Sequence, residues 1–126
     1  MSLVLFAAAG GAVGAALRHL TNVVCGQLFG PSFPWGTFAV NVLGSLLMGL
    51  LIAALALRWS APLEVRTFLA TGVLGGFTTF SAFSMDFAAL FERKAYLSAA
   101  GYAGGTLVLS LLAVFVGLAL GRLIFQ

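Results

Sequence analysis

The sequence predicts an all-α membrane protein, a single domain over residues 1–126 built from four transmembrane helices. Three observations predict it. Of the residues, 62% are hydrophobic and 7% are charged, whereas a soluble domain carries roughly 25% charged residues; with a mean hydropathy of +1.15, the chain has too few polar groups to cover a water-facing surface. Apolar runs of the ~20 residues that a span requires recur four times. The three prolines, Pro31, Pro34 and Pro62, fall between those runs, where helix breakers belong.

The first span covers residues 3–26 and holds Arg18 and His19. Its opening, MSLVLFAAAGGA, has the small residues of a signal peptide but no basic segment ahead of them. The apolar run also continues past the alanines, so the stretch reads as a span. The second span, 35–57, has no charge; the third, 67–91, carries Asp86 near its end; the fourth, 95–121, is again uncharged. The connections FGPSFP, RWSAPLE and ERK are short. Trp35, Trp59 and Tyr96 lie near span ends, where amphipathic rings prefer the membrane interface.

Composition also excludes functions. The net charge of +3 comes from few residues, with no basic face and no aromatic–basic interleaving, so the partner is the lipid bilayer and not nucleic acid. Cys25 stands alone, which rules out an intrachain disulfide and a cysteine-based metal framework. There is no GxxxxGK[ST] phosphate loop. His19 is the only histidine, so no nucleophile–base–orienter set is available and no enzyme is expected.

Four spans place both termini and the loop after span two on one side. That side holds Arg58, Arg66 and Arg122, against Arg93 and Lys94 opposite. A bias of three to two is too small to fix an orientation by the positive-inside rule. One outcome is insertion in both directions and pairing of opposite copies as an antiparallel dimer; the other is a single orientation set by the insertion machinery or a partner. Four helices of this length pack tightly but hardly enclose a pathway, so transport by this chain requires an oligomer.

Polar residues in lipid must find partners. Thr37, Asn41 and Ser45 in span two, and Tyr102, Thr106 and Ser110 in span four, are each spaced by four, which puts each set on one helical face. Such residues commonly hydrogen-bond between membrane helices for about 1 kcal/mol or less. Two stripes of three equally fit a narrow polar track for a small ion or water. The pairs Gly10/Gly14, Gly72/Gly76, Gly101/Gly105 and Gly117/Gly121 are four apart and predict close helix–helix approach. Arg18 has no acid in its own span; it either snorkels to the interface or a helix C-terminus, or draws anions into a wet vestibule. Asp86 is placed to cap a helix or pair with a base.

Within span three stands GGFTTFSAFS, residues 75–84. Paired glycines and β-branched threonines are poor helix formers, so the span is expected to break here. A break at membrane depth is tolerated only where the freed backbone is buried in protein or lines a polar cavity, and freed carbonyls can coordinate a cation such as Na⁺. Phe77 is expected to pack against lipid or a neighbour. Phe80 and Phe83 alternate with Ser81 and Ser84, and the positive edge of an aromatic ring can face an anion.

These segments resemble the Fluc (CrcB) fluoride channel family: GGAVGAALRHL in span one, WGTFAVNVLGSLLMG in span two and, most specifically, GVLGGFTTFSAFSMD in span three. The resemblance implies passive fluoride export across the cell (inner) membrane, which relieves fluoride toxicity, by a dual-topology antiparallel homodimer with two pathways. It implies a broken third helix and a structural Na⁺ at the dimer centre, bound by the backbone carbonyls of Gly75 and Thr78. It assigns Asn41, Phe80 and Phe83 to the pore, with Ser81, Thr37 and the Tyr102, Thr106 and Ser110 track, and Arg18 as the first-span arginine. Two positions depart from the family pattern: Ala82 stands where a hydroxyl is usual, and Asp86 where glutamate is usual. The alternatives are a fluoride/proton antiporter, a small multidrug exporter, which would require an acid in the first span where this chain has Arg18, and a scaffold subunit that transports nothing.

Overall fold

Four long apolar helical segments run through the computed structural model, which describes residues 2–126, and no strand occurs among the described residues. Helix α1 spans Ser2–Phe29 and α2 spans Trp35–Leu57. The third segment, Leu63–Glu92, is not uniform. It starts as α3 (Leu63–Arg66), widens into a π-helical stretch (Thr67–Leu74), passes through the single turn α4 (Gly75–Phe77) and resumes as α5 (Ser81–Glu92). Helix α6 spans Tyr96–Phe125. Each of the four segments is long and apolar enough to cross a membrane, so the chain is a multi-pass membrane protein.

The ends move relative to the sequence expectation, for local reasons. Helix α1 continues three residues past Gly26, because nothing in Gln27–Leu28–Phe29 breaks it; it stops at Gly30, whose φ of 80° is left-handed and costs glycine nothing. The third segment begins at Leu63, directly after Pro62, so Arg66 is helical; its Nε donates to the Ala61 carbonyl at 3.1 Å. Helix α6 starts at Tyr96 and ends at Phe125, beyond the expected Gly121. Arg122 lies in its last turn, where a cation suits the helix dipole, and Arg58 ties off its final carbonyls at Phe125 (2.6 Å) and Gln126 (3.2 Å).

Two glycine seams hold the chain together. Along the first, α1 lies against the π stretch: a Cβ on Gly10 would meet the Phe68 carbonyl and Gly72, and one on Gly14 would meet the Val73 carbonyl and the Phe77 amide. Along the second, α2 lies against α6: a Cβ on Gly49 would strike the Val114 carbonyl, and one on Gly117 the Leu46 carbonyl. Backbones this close exchange dispersion contacts that lipid cannot offer. Three of the four expected glycine pairs therefore serve packing within the chain. Gly101/Gly105 does not, since a Cβ on Gly101 would meet open space and one on Gly105 only the Phe38 ring, at 3.8 Å.

Candidate functional site

The site grows out of the third segment where its helical geometry stops. Thr78 is extended, with φ −84° and ψ 159°, and α5 begins only at Ser81. Helix α2 approaches this segment through Gly44, where a Cβ would land on the Thr78 methyl. One turn away on the same face, Asn41 takes both sides of the Thr79 backbone: its Nδ2 donates to the Thr79 carbonyl at 3.0 Å, and the Thr79 amide donates to its Oδ1 at 2.8 Å. The family resemblance assigns Asn41 to a pore; what the structure shows is a clamp on the neighbouring backbone, with one amide hydrogen left over.

The amide that would continue the helical ladder onto the Gly75 carbonyl belongs to Thr79, and it is held by Asn41. The one that would bond the Thr78 carbonyl belongs to Ala82, and it donates to Thr79 Oγ1 at 3.2 Å. Both carbonyls are thereby released from the ladder, as a carbonyl-coordinated cation requires. Gly75 is exposed on the single chain and Thr78 half-buried. Between them, the Gly76 carbonyl accepts from Arg18 Nε at 3.1 Å. Arg18 thus meets a carbonyl in the last turn of α4, at the helix end beside the interruption, which is the helix C-terminus option that the sequence left open.

Beyond the interruption the aromatic groups line up. The Phe80 ring, 78% exposed on the single chain, lies 5.6 Å from Phe83, and Phe83 lies 5.1 Å from Tyr102. Phe33 meets Tyr102 edge-on at 5.5 Å. Phe77 is buried at 7% exposure, in contrast to Phe80 on the other side of the extended Thr78. Ser81 is exposed, with its Oγ 3.4 Å from Thr79 Oγ1, and Ser84 Oγ donates to the Phe80 carbonyl at 3.0 Å.

Tyr102 is fully buried, and its hydroxyl donates to Asp86 Oδ2 at 3.1 Å. Asp86 therefore pairs with a hydroxyl rather than a base. Thr37 and Thr106 are both buried. The Thr106 and Ser110 hydroxyls, one and two turns along α6 from Tyr102, are enclosed and find no hydrogen-bond partner among the described residues. A buried hydroxyl without a partner is costly, so an unbonded pair in line is an open hydrogen-bonding capacity. At the end of α1 a cavity of about 410 Å³ is lined by Asn22, Cys25, Thr37, Ala82, Asp86 and Arg93. Ala82 opens onto it and adds no polar group of its own.

Residues 5–118 match the family model described as CrcB-like protein, Camphor Resistance (CrcB). The chain belongs to the CrcB family. Curated relatives in this family carry the name fluoride-specific ion channel FluC. That of Agrobacterium fabrum is 56% identical over 118 residues, 94% of each chain. The relative from Mesorhizobium japonicum is 54% identical over the same shares. One from a Caulobacter species is 50% identical over all of this chain and 99% of its own. The CrcB match takes in α1, α2, the interruption and most of α6, and so every residue of the candidate site. Sequence reasoning passed over Thr79, Gly44 and the Tyr102–Asp86 pair. Only the second threonine of the TTF motif carried a signal, since a threonine ahead of a helix is an ordinary N-cap.

Proposed function

We propose that the protein is a fluoride-selective channel that exports fluoride passively across the bacterial inner membrane. One observation carries a polar pathway over simple helix–helix adhesion: the buried, unbonded hydroxyls of Thr106 and Ser110. Adhesive hydroxyls would be bonded to the helix they hold. These two instead extend the line begun by Phe80, Phe83 and Tyr102, and offer donors to an anion that has shed water. Fluoride is the ion named for the Agrobacterium, Mesorhizobium and Caulobacter relatives.

In this reading, fluoride leaves the aqueous side and exchanges hydration for the spare Asn41 amide hydrogen, Ser81, the edges of Phe80 and Phe83, and then the hydroxyl track with Thr37 at its side. Asp86 accepts the hydrogen bond of the Tyr102 hydroxyl and so fixes the phenol's orientation. Arg18 supplies positive charge near the interruption. The exposed Phe80 and Gly75 call for a second copy, and an antiparallel homodimer would bring two such faces together into two pathways. The released Gly75 and Thr78 carbonyls of both copies would then hold a Na⁺ at the centre. Such a cation would neutralise the converging carbonyl dipoles and bridge the two chains.

Purified protein in fluoride-loaded liposomes tests this. Fluoride efflux down its gradient, with no comparable chloride efflux, is expected. Absence of fluoride flux from folded protein would sink the channel reading, and uphill flux driven by a pH gradient would replace it with the fluoride/proton antiporter.

A further inference from the structure

Thr79 is tied down through its carbonyl, its amide and its hydroxyl, the last of which also lies 3.4 Å from Ser81 Oγ. Its carbonyl and amide are held by Asn41 at 3.0 and 2.8 Å, and its Oγ1 accepts the Ala82 amide at 3.2 Å. The amide engagement withdraws the helical donor of the Gly75 carbonyl. The hydroxyl engagement withdraws the helical donor of the Thr78 carbonyl. Both carbonyls thus lose their ladder partners through one side chain and its own backbone. We propose that Thr79 is the positioning residue that keeps these two carbonyls open and so sets the affinity of the central site for its monovalent cation; this rests on the cation reading of Gly75 and Thr78 given above.

Thr79 Oγ1 caps the start of α5 in the manner of an N-cap threonine, which accepts the amide three residues on. Without that oxygen the Ala82 amide has the Thr78 carbonyl, four residues back, as its nearest helical acceptor. Closing that bond extends α5 toward its N-terminus and takes the carbonyl out of use. Asn41 still holds the Thr79 amide, so Gly75 stays open and half of each chain's ligand pair is lost. The Thr78 hydroxyl has no such role, because it donates to the Leu74 carbonyl at 3.0 Å on the preceding turn.

The test is a Na⁺ titration at constant ionic strength, with N-methylglucamine as the replacing cation. It reads thermal unfolding of the purified full-length protein for the wild type, Thr79→Val, Thr79→Ala and Thr79→Ser. Valine keeps the shape of threonine and deletes the oxygen; serine keeps the oxygen. Val and Ala are expected to raise the Na⁺ midpoint about tenfold, or about 1.4 kcal/mol, within the reach of a lost cap. Serine is expected to stay near wild type. A wild type that responds to Na⁺ together with unchanged midpoints in Val and Ala overturns the role of Thr79 and leaves the cation reading intact. A wild type with no Na⁺ response overturns the cation reading and this proposal together. If neither uncapped variant folds, the wild type decides. Thr78–Thr79 is the sole Thr-Thr pair in the chain, so carbonyl-¹³C, ¹⁵N threonine labelling isolates the Thr78 carbonyl in solid-state NMR. A carbonyl shift that moves with Na⁺ supports the proposal, and a helical, Na⁺-insensitive shift overturns it.

Discussion

Phe80 and Phe87 offer a test, at the level of single residues, that separates the proposed pore role from packing. Phe80 is largely exposed on the chain, whereas Phe87 packs beside the buried cluster of Leu90, Ala99 and Tyr102. Phe80→Ala is therefore expected to leave the fold of the chain intact and still lower fluoride efflux by about tenfold or more, the equivalent of at least about 1.4 kcal/mol. Phe83→Ala should do the same with some loss of stability, through its contact with Tyr102. Phe87→Ala should cost stability and spare flux. Parallel efflux and thermal-unfolding measurements check this, and equal flux losses in all three would undo the assignment of Phe80 and Phe83. Much of the site at this scale was legible in the sequence, because its residues stand in a dense motif and in stripes of period four. Their partners were not. The Arg18 bond to Gly76 spans 58 positions and the Asn41 bonds to Thr79 span 38, separations that no local pattern encodes.

The two glycine seams make helices α2 and α6, and α1 and the π stretch, behave as locked pairs. A Cβ on Gly117 would strike the Leu46 carbonyl and lie 3.0 Å from Gly49 Cα, all backbone, so a side chain there has no flexible neighbour to push aside. Gly117→Val is expected to destabilise the protein by about 1–3 kcal/mol or more. Gly26, near the end of α1, has nothing near a would-be Cβ, so Gly26→Ala should be neutral or stabilising by up to about 1 kcal/mol. Thermal unfolding of the two variants side by side tests the seam; a tolerated Gly117→Val would show that α2 and α6 can part without loss. The glycine spacing announced close packing in all four pairs alike. It could not say that Gly101/Gly105 alone lies outside the seams, because spacing defines a face and only the neighbour across it defines a contact.

For the whole molecule, the proposed pairing of opposite copies has a direct test. Cys25 is half-buried and lines the cavity at the end of α1, so it offers a natural reporter. In sealed vesicles of active protein, an impermeant thiol reagent added outside is expected to label about half of Cys25, the share that dual insertion predicts when neither orientation is favoured, with the remainder labelled from inside. Complete labelling from one side alone in an active sample would contradict dual topology.

By itself, the sequence determined that this chain is a bundle of four membrane helices, roughly where its connections fall, and which polar and aromatic residues stand on its candidate faces. Apolar run length, proline position and four-residue spacing are local properties that a chain displays before it folds. The tertiary structure decided which groups those residues serve. It turned Asn41 and Thr79 into a mutual clamp, gave Arg18 a carbonyl and Asp86 a tyrosine, and left the Thr106 and Ser110 hydroxyls without partners among the described residues. Hydrogen-bond satisfaction is settled by what lies within about 3 Å in space, and that is fixed only when distant helices meet.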